Sequence, residues 1–144
     1  MKGTFLLILL LTFKSYSQDI TGNWDVVSYE DETLYYNKQM DSIAFKKNST
    51  EENHVERLKQ KLELIVFSVT YSFKTNGKYV ENHPALGEVI NGSFEVDKQN
   101  KTIVIIDDEG KKDKLKYNYD NGILFVEMKM ERGYITLGLI KFSN

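Results

Sequence analysis

From Val69 onward the chain alternates apolar and polar residues with a period of two, interrupted at short intervals by turn-forming residues. "VTYSF" sets Val69, Tyr71 and Phe73 on one face and Thr70 and Ser72 on the other. That alternation is what a strand with one buried face requires. "KTNGK" follows, and its Asn76-Gly77 pair is a strong hairpin signal because both residues tolerate positive φ. "KYVE" is the return strand. "GEVINGSFEVD" places Ile90, Gly92, Phe94 and Val96 on one face. "KQNK" turns into "TIVIID", and "DEGK" into "KLKYNYD", where Leu115, Tyr117 and Tyr119 alternate with Lys116 and Asn118. "DNG" turns into "ILFVEMKME", with Leu124, Val126, Met128 and Met130 on one face, and "RG" into "YITLGLIKF". The segments so named run from Val69 to Phe142; Ile20–Glu30 adds a strand before them, and "ETLYYN" (32–37) another with a weaker pattern.

One segment changes period. In "NSTEENHVERLKQKLELIVF", Val55, Leu58, Leu62 and Ile65 recur at helical spacing. Ser49 and Glu52 have capping-box spacing, and Glu51 and Glu52 suit the positive end of a helix dipole. The pattern predicts a helix near 50–66, with Lys59, Lys61 and Glu63 on its wet side. Short strands joined by tight turns, with no helices between most of them, predict an all-β, mainly antiparallel fold. Closure removes sheet edges, so the expected architecture is an up-and-down meander β-barrel of about eight strands with one inserted α-helix that caps or flanks it.

The first residues follow another logic. Lys2, an apolar run from Phe5 to Leu11, and the small-x-small exit Ser15-Tyr16-Ser17 describe a secretory signal peptide over 1–17. The run is too short to span a bilayer as a helix. Residues 18–144 are then expected to form one domain, secreted or periplasmic and not an integral membrane protein. The chain has no cysteine, so disulfides, thiolate metal sites and a lipid anchor on cysteine are all excluded, and the core must hold the domain together. Loss of Lys2 and Lys14 leaves 17 basic against 21 acidic residues. The densest basic run, "KKDKLK" (111–116), alternates with other residues as a solvated strand face does, and nucleic-acid binding is not expected.

A glycine stands two residues before the only tryptophan, in Gly22-Asn23-Trp24, at the start of the first strand. A G-x-W at this position, followed by a β meander, resembles the lipocalin and lipocalin-like families. The resemblance spans roughly residues 20–144 as a pattern, and its motif is those three residues. It implies a barrel whose tryptophan plugs the closed end, with glycine allowing a sharp turn beneath it, so that Gly22 and Trp24 are structural. It also implies a basic residue near the last strand that stacks on the tryptophan, for which Arg132 and Lys141 are the candidates. The helix departs from the lipocalin order, since it lies between early strands rather than after the last ones. Short lipocalin-like domains of secreted bacterial proteins are the nearer likeness.

Catalytic chemistry is not legible. "NGSFE" lacks the second glycine of a nucleophile elbow, and no phosphate loop or dinucleotide fingerprint is present. The two histidines, His54 at the helix start and His83 in a loop before Pro84, have no zinc spacing, and "DDEG" (107–110) and "DNG" (120–122) are turns rather than calcium loops. No enzyme activity, metal or cofactor is expected. The resemblance implies binding of a small apolar ligand inside the barrel. The inward faces offer Tyr71, Phe73, Phe94, Tyr117, Tyr119, Met128 and Met130 as its contacts, the methionines adapting to flexible shapes. The same residues could instead fill a solid core, because eight strands leave an interior that side chains alone can occupy. The protein would then work through its outer surface as an interaction or inhibitor module, and the tyrosines of "SYEDETLYYN" (Tyr29, Tyr35, Tyr36) would be its exposed contacts.

Overall fold

The computed structural model describes residues 19–46 and 54–143. The segment expected to be a signal peptide, 1–17, and the expected capping-box pair Ser49 and Glu52 lie outside the described residues. Ten strands and one helix follow one another: β1 (Gly22–Glu30), β2 (Leu34–Asn37), β3 (Ser42–Phe45), α1 (Val55–Ile65), β4 (Thr70–Phe73), β5 (Lys78–His83), β6 (Glu88–Asp97), β7 (Thr102–Asp107), β8 (Lys112–Asp120), β9 (Ile123–Lys129) and β10 (Tyr134–Phe142). All pairings are antiparallel. Strands β4 to β10 form a meander in chain order, and β10 returns to β1 to close a barrel of eight staves, β1 and β4–β10. The expected all-β meander barrel with one inserted helix is the fold that forms.

Its eight staves are drawn from slightly different segments than the alternation suggests. The stretch from Thr70 to Phe142 holds the seven strands β4–β10. The "ETLYYN" segment is β2, which is no stave. It pairs in a hairpin with β3, a further strand that the sequence pattern does not mark. The edge of β1 that faces away from β10 is divided. Gly22–Asp25 pairs with β4, whereas Ser28–Glu30 pairs with β2. The hairpin therefore extends the barrel wall past the point where β4 begins.

A β-bulge between Val26 and Ser28 sets what each part of β1 faces. Trp24 and Val26 point inward opposite Lys141 and Leu139. The extra residue then re-phases the strand, so Tyr29 rather than Ser28 shares the inner face with Leu137 and Tyr36. The turn from β1 to β2 is held by Asp31. Its Oδ1 accepts from the Thr33 N–H, the Thr33 hydroxyl and the Leu34 N–H at 2.7–2.9 Å, and its Oδ2 accepts from the Tyr29 hydroxyl at 2.9 Å. Partial burial alone would raise the Asp31 carboxyl, but these donors outweigh it and hold it below its ordinary value. A depressed carboxyl contributes stability above its unfolded pKa, about 3.9, and that contribution is lost as pH falls through the folded value. Asp31→Asn is expected to lower stability at pH 7 by about 1 kcal/mol, a screened charge-assisted bond. Urea midpoints should show the gap between the two proteins narrowing from pH 7 to pH 3.

Helix α1 lies where the apolar stripe predicts it, starting after His54, whose side chain makes no capping bond. Of the stripe, Leu62 is buried, Leu58 packs on the core at partial exposure, and Ile65 is exposed. The face expected to be wet is not wholly so. The Lys59 Nζ is 2.8 Å from Asp41 Oδ1 and the Lys38 Nζ 3.1 Å from Glu63 Oε2, so α1 and the β2–β3 hairpin face each other. The helix flanks the barrel rather than sealing it.

The hairpin expected at Asn76-Gly77 forms, but as a longer loop in which only Gly77 has positive φ. The two-residue turn with both central residues left-handed is Asn121-Gly122, at φ of 49° and 83°, joining β8 to β9.

Candidate functional site

Trp24 lies at the barrel end formed by the start of β1 and the end of β10. It is fully buried, and its indole N–H donates to the Ile20 carbonyl at 2.8 Å. Tyr119 meets it edge-on at 6.3 Å between centroids. The Lys141 ammonium stands 5.4 Å from the indole centroid, so of the two basic candidates Lys141 is the one over the tryptophan. Arg132 belongs to the β9–β10 turn at the opposite end. Gly22 has φ of +133°, and a Cβ there would collide with Lys141 Cε. Glycine at this position thus serves both the backbone and the lysine stem that crosses it. This end is closed.

The opposite end is hollow. A cavity of about 500 Å³ opens among the last residues of β5, β7 and β9 and the first residues of β8. Phe73 and Tyr79 form its floor, tilted against each other at 5.3 Å, and Ile90, Ile105, Leu115, Val126 and Leu139 form apolar walls. Four of the sequence-predicted contacts line it: Tyr71, Phe73, Met128 and Met130, the last at the rim and almost half exposed. Three do not line it, and what sets them apart is their height along the barrel axis. Phe94 packs under the floor against Phe73 at 5.0 Å. Tyr117 packs on the core between cavity and plug, and Tyr119 leans on Trp24. All three face inward as alternation requires, but below the cavity.

Polar groups that the alternation does not single out also face this space. Cross-strand register puts Glu81 opposite Tyr71 and Ile90, hence on the inner face of β5 with Tyr79 and His83. The Tyr79 hydroxyl donates to Glu81 Oε2 at 2.6 Å, and His83 Nε2 is 2.6 Å from Glu81 Oε1. His83 is therefore a strand residue with a carboxylate partner rather than a loop residue. Burial first, and then the charge of Glu81, push the Tyr71 and Tyr79 phenols well above their ordinary range. Nearer the mouth stand Asp113, paired with the Lys111 Nζ at 3.2 Å, and Asp107, whose Oδ1 accepts from the Glu109 and Lys111 N–H groups of its own turn. The signal for Glu81 lies in "KYVENH": a carboxylate on the same alternating face as a large tyrosine.

A second cavity of about 580 Å³ lies between α1 and the hairpin root, lined by Leu58, Leu62 and Ile65 on one side and Tyr29, Leu34 and Ile135 on the other. The tyrosines expected to be exposed here are not. Tyr36 is 2 % exposed, meets Phe67 edge-on at 5.1 Å, and shares its hydroxyl between Asp41 and Glu63. Tyr29 is half-buried on Asp31, and Tyr35 accepts from the Asn37 amide. Among the described residues no group of three or more His, Asp or Glu side chains is placed to hold a metal ion. No described helix is long and apolar enough to cross a membrane.

No family model matches the chain, and no curated protein does. In fold it is similar to the crystal structure of a DUF4847 family protein from Bacteroides vulgatus ATCC 8482, with a TM-score of 0.54. The two are 15% identical, and the match covers 85% of this chain and 95% of the other. At that identity the likeness establishes a shared fold.

Proposed function

We propose that the mature chain is a lipocalin-like, non-catalytic binder of a small molecule with an apolar body, acting outside the cytoplasm. The observation that carries the reading is the barrel's asymmetry: one end is plugged by Trp24 under Lys141, and the other holds an open cavity of about 500 Å³ with apolar walls. That volume falls in the range of small-molecule sites, which combine apolar linings with a few convergent polar groups. Each methylene moved from water into such a space contributes about 0.8 kcal/mol. The location rests on the Met1–Ser17 pattern. The alternative, a surface module, has less support, since Tyr36 is buried and the barrel interior is not filled by its own side chains.

Titration with the uncharged dye N-phenyl-1-naphthylamine tests the reading. Saturable one-to-one enhancement is expected, weakened at least tenfold in Met128→Trp, which narrows the cavity at a half-buried position, with thermal stability retained. No saturable response, or equal binding by the variant, would overturn it. Trp24 itself is a poor reporter, because it lies at the closed end and outside the cavity lining.

A further inference from the structure

The cavity is apolar in its walls but not neutral. Tyr71 is 8 % exposed, lines the cavity, and its hydroxyl has no hydrogen-bond partner among the described residues. Glu81, its cross-strand neighbour, spends one lone pair of each oxygen on Tyr79 and His83 and keeps capacity for another donor. Asp107 and Asp113 add carboxylates toward the mouth, and Lys111, the lysine that shares their side of the wall among the described residues, is tied to Asp113. Lys112, Lys114 and Lys129 reach the rim from positions whose strand alternation faces outward.

We propose that the barrel cavity selects amphiphiles whose head group is an amine over those ending in a carboxylate, an assignment that rests on the cavity being the binding site. An ammonium carries three donors and no acceptor. It can give one to Glu81 and one to the Tyr71 oxygen, and its third to Asp113 or water, while its chain lies along Leu115, Val126 and Leu139. A carboxylate head would bring like charge beside Glu81 and offer that carboxylate no further donor. An alcohol head, donor and acceptor at once, falls between.

The test is displacement of N-phenyl-1-naphthylamine by dodecylamine, dodecanol and dodecanoate at pH 8, all kept below micelle-forming concentrations. There an alkylamine, like lysine, is protonated. The amine is expected to displace the dye at least tenfold more effectively than the carboxylate, as charge-assisted hydrogen bonds imply. Glu81→Gln should erase that ratio. Tyr71→Phe, which removes one unpartnered oxygen and keeps the ring, should lower the amine-to-carboxylate ratio several-fold. This second variant retains the test if Glu81→Gln unfolds. Dye binding with equal displacement by all three chains, or a ratio that survives both substitutions, would overturn the head-group assignment alone. Absence of saturable dye binding would overturn the cavity reading and this assignment together.

Discussion

Trp24→Ala is expected to destabilise the protein by about 4–5 kcal/mol. Truncating a packed aromatic in a core costs about 3–5 kcal/mol, and here the Ile20 carbonyl is also left without its donor. Single domains are stable by only about 5–15 kcal/mol, so much of the folded margin would go. A drop in Tm of roughly 15 °C or more should follow for a domain of this size. The substitution removes the edge-on packing with Tyr119, the ring beneath the Lys141 ammonium, and the seal of the barrel base. Trp24→Phe keeps a ring but gives up the N–H bond, and should cost about 1–2 kcal/mol. Because the cavity lies at the other end, dye affinity in Trp24→Phe should equal that of the parent. A fall in Tm below about 3 °C for Trp24→Ala, under 1 kcal/mol for a domain of this size, would mean that the indole is not what closes the base. A failure of Trp24→Phe to bind dye would mean that the plug and the cavity are one site.

The meander is legible in the sequence because each of its steps is local. Alternation identifies a strand, and Asn-Gly or Asp-Asn-Gly identifies a reversal, within a dozen residues. What is not legible is non-local, and β8 alone shows the reason. Asp113, Leu115, Tyr117 and Tyr119 share one face, yet they run from the cavity mouth to the tryptophan plug. Alternation gives the face of a residue but not its height along the axis, which strand tilt and register decide. For that reason Tyr71, Phe73, Met128 and Met130 line the cavity while Phe94, Tyr117 and Tyr119 lie beneath it. The bulge at Val26–Ser28 re-phases β1 with no glycine or proline to announce it. The β2–β3 hairpin is hard to see because four-residue strands carry too few alternations to stand out. Glu81 is hard to see because an inward carboxylate looks, in sequence, like the end of a strand.

Tyr36→Ala is expected to cost about 3 kcal/mol, the range for truncating a buried aromatic. Tyr35→Ala, at a partly buried position one residue earlier, should stay within about 1 kcal/mol. Urea denaturation of the two variants separates a packing role from an exposed recognition role, for which both changes would be small. The magnitude also decides what holds α1 in place. The Lys59–Asp41 and Lys38–Glu63 pairs are exposed on at least one side, and such pairs contribute little. The remaining candidate is the apolar cluster of Tyr36, Phe67 and Leu62. Tyr36→Phe keeps that cluster and removes only the hydroxyl shared by Asp41 and Glu63, so it should retain most of the stability that Tyr36→Ala gives up. If Tyr36→Phe were as damaging as Tyr36→Ala, the polar bonds rather than the ring would be what docks the helix on the hairpin. If neither mattered, α1 would be held from elsewhere, and the cavity between it and the hairpin root would lose its wall without cost to the barrel.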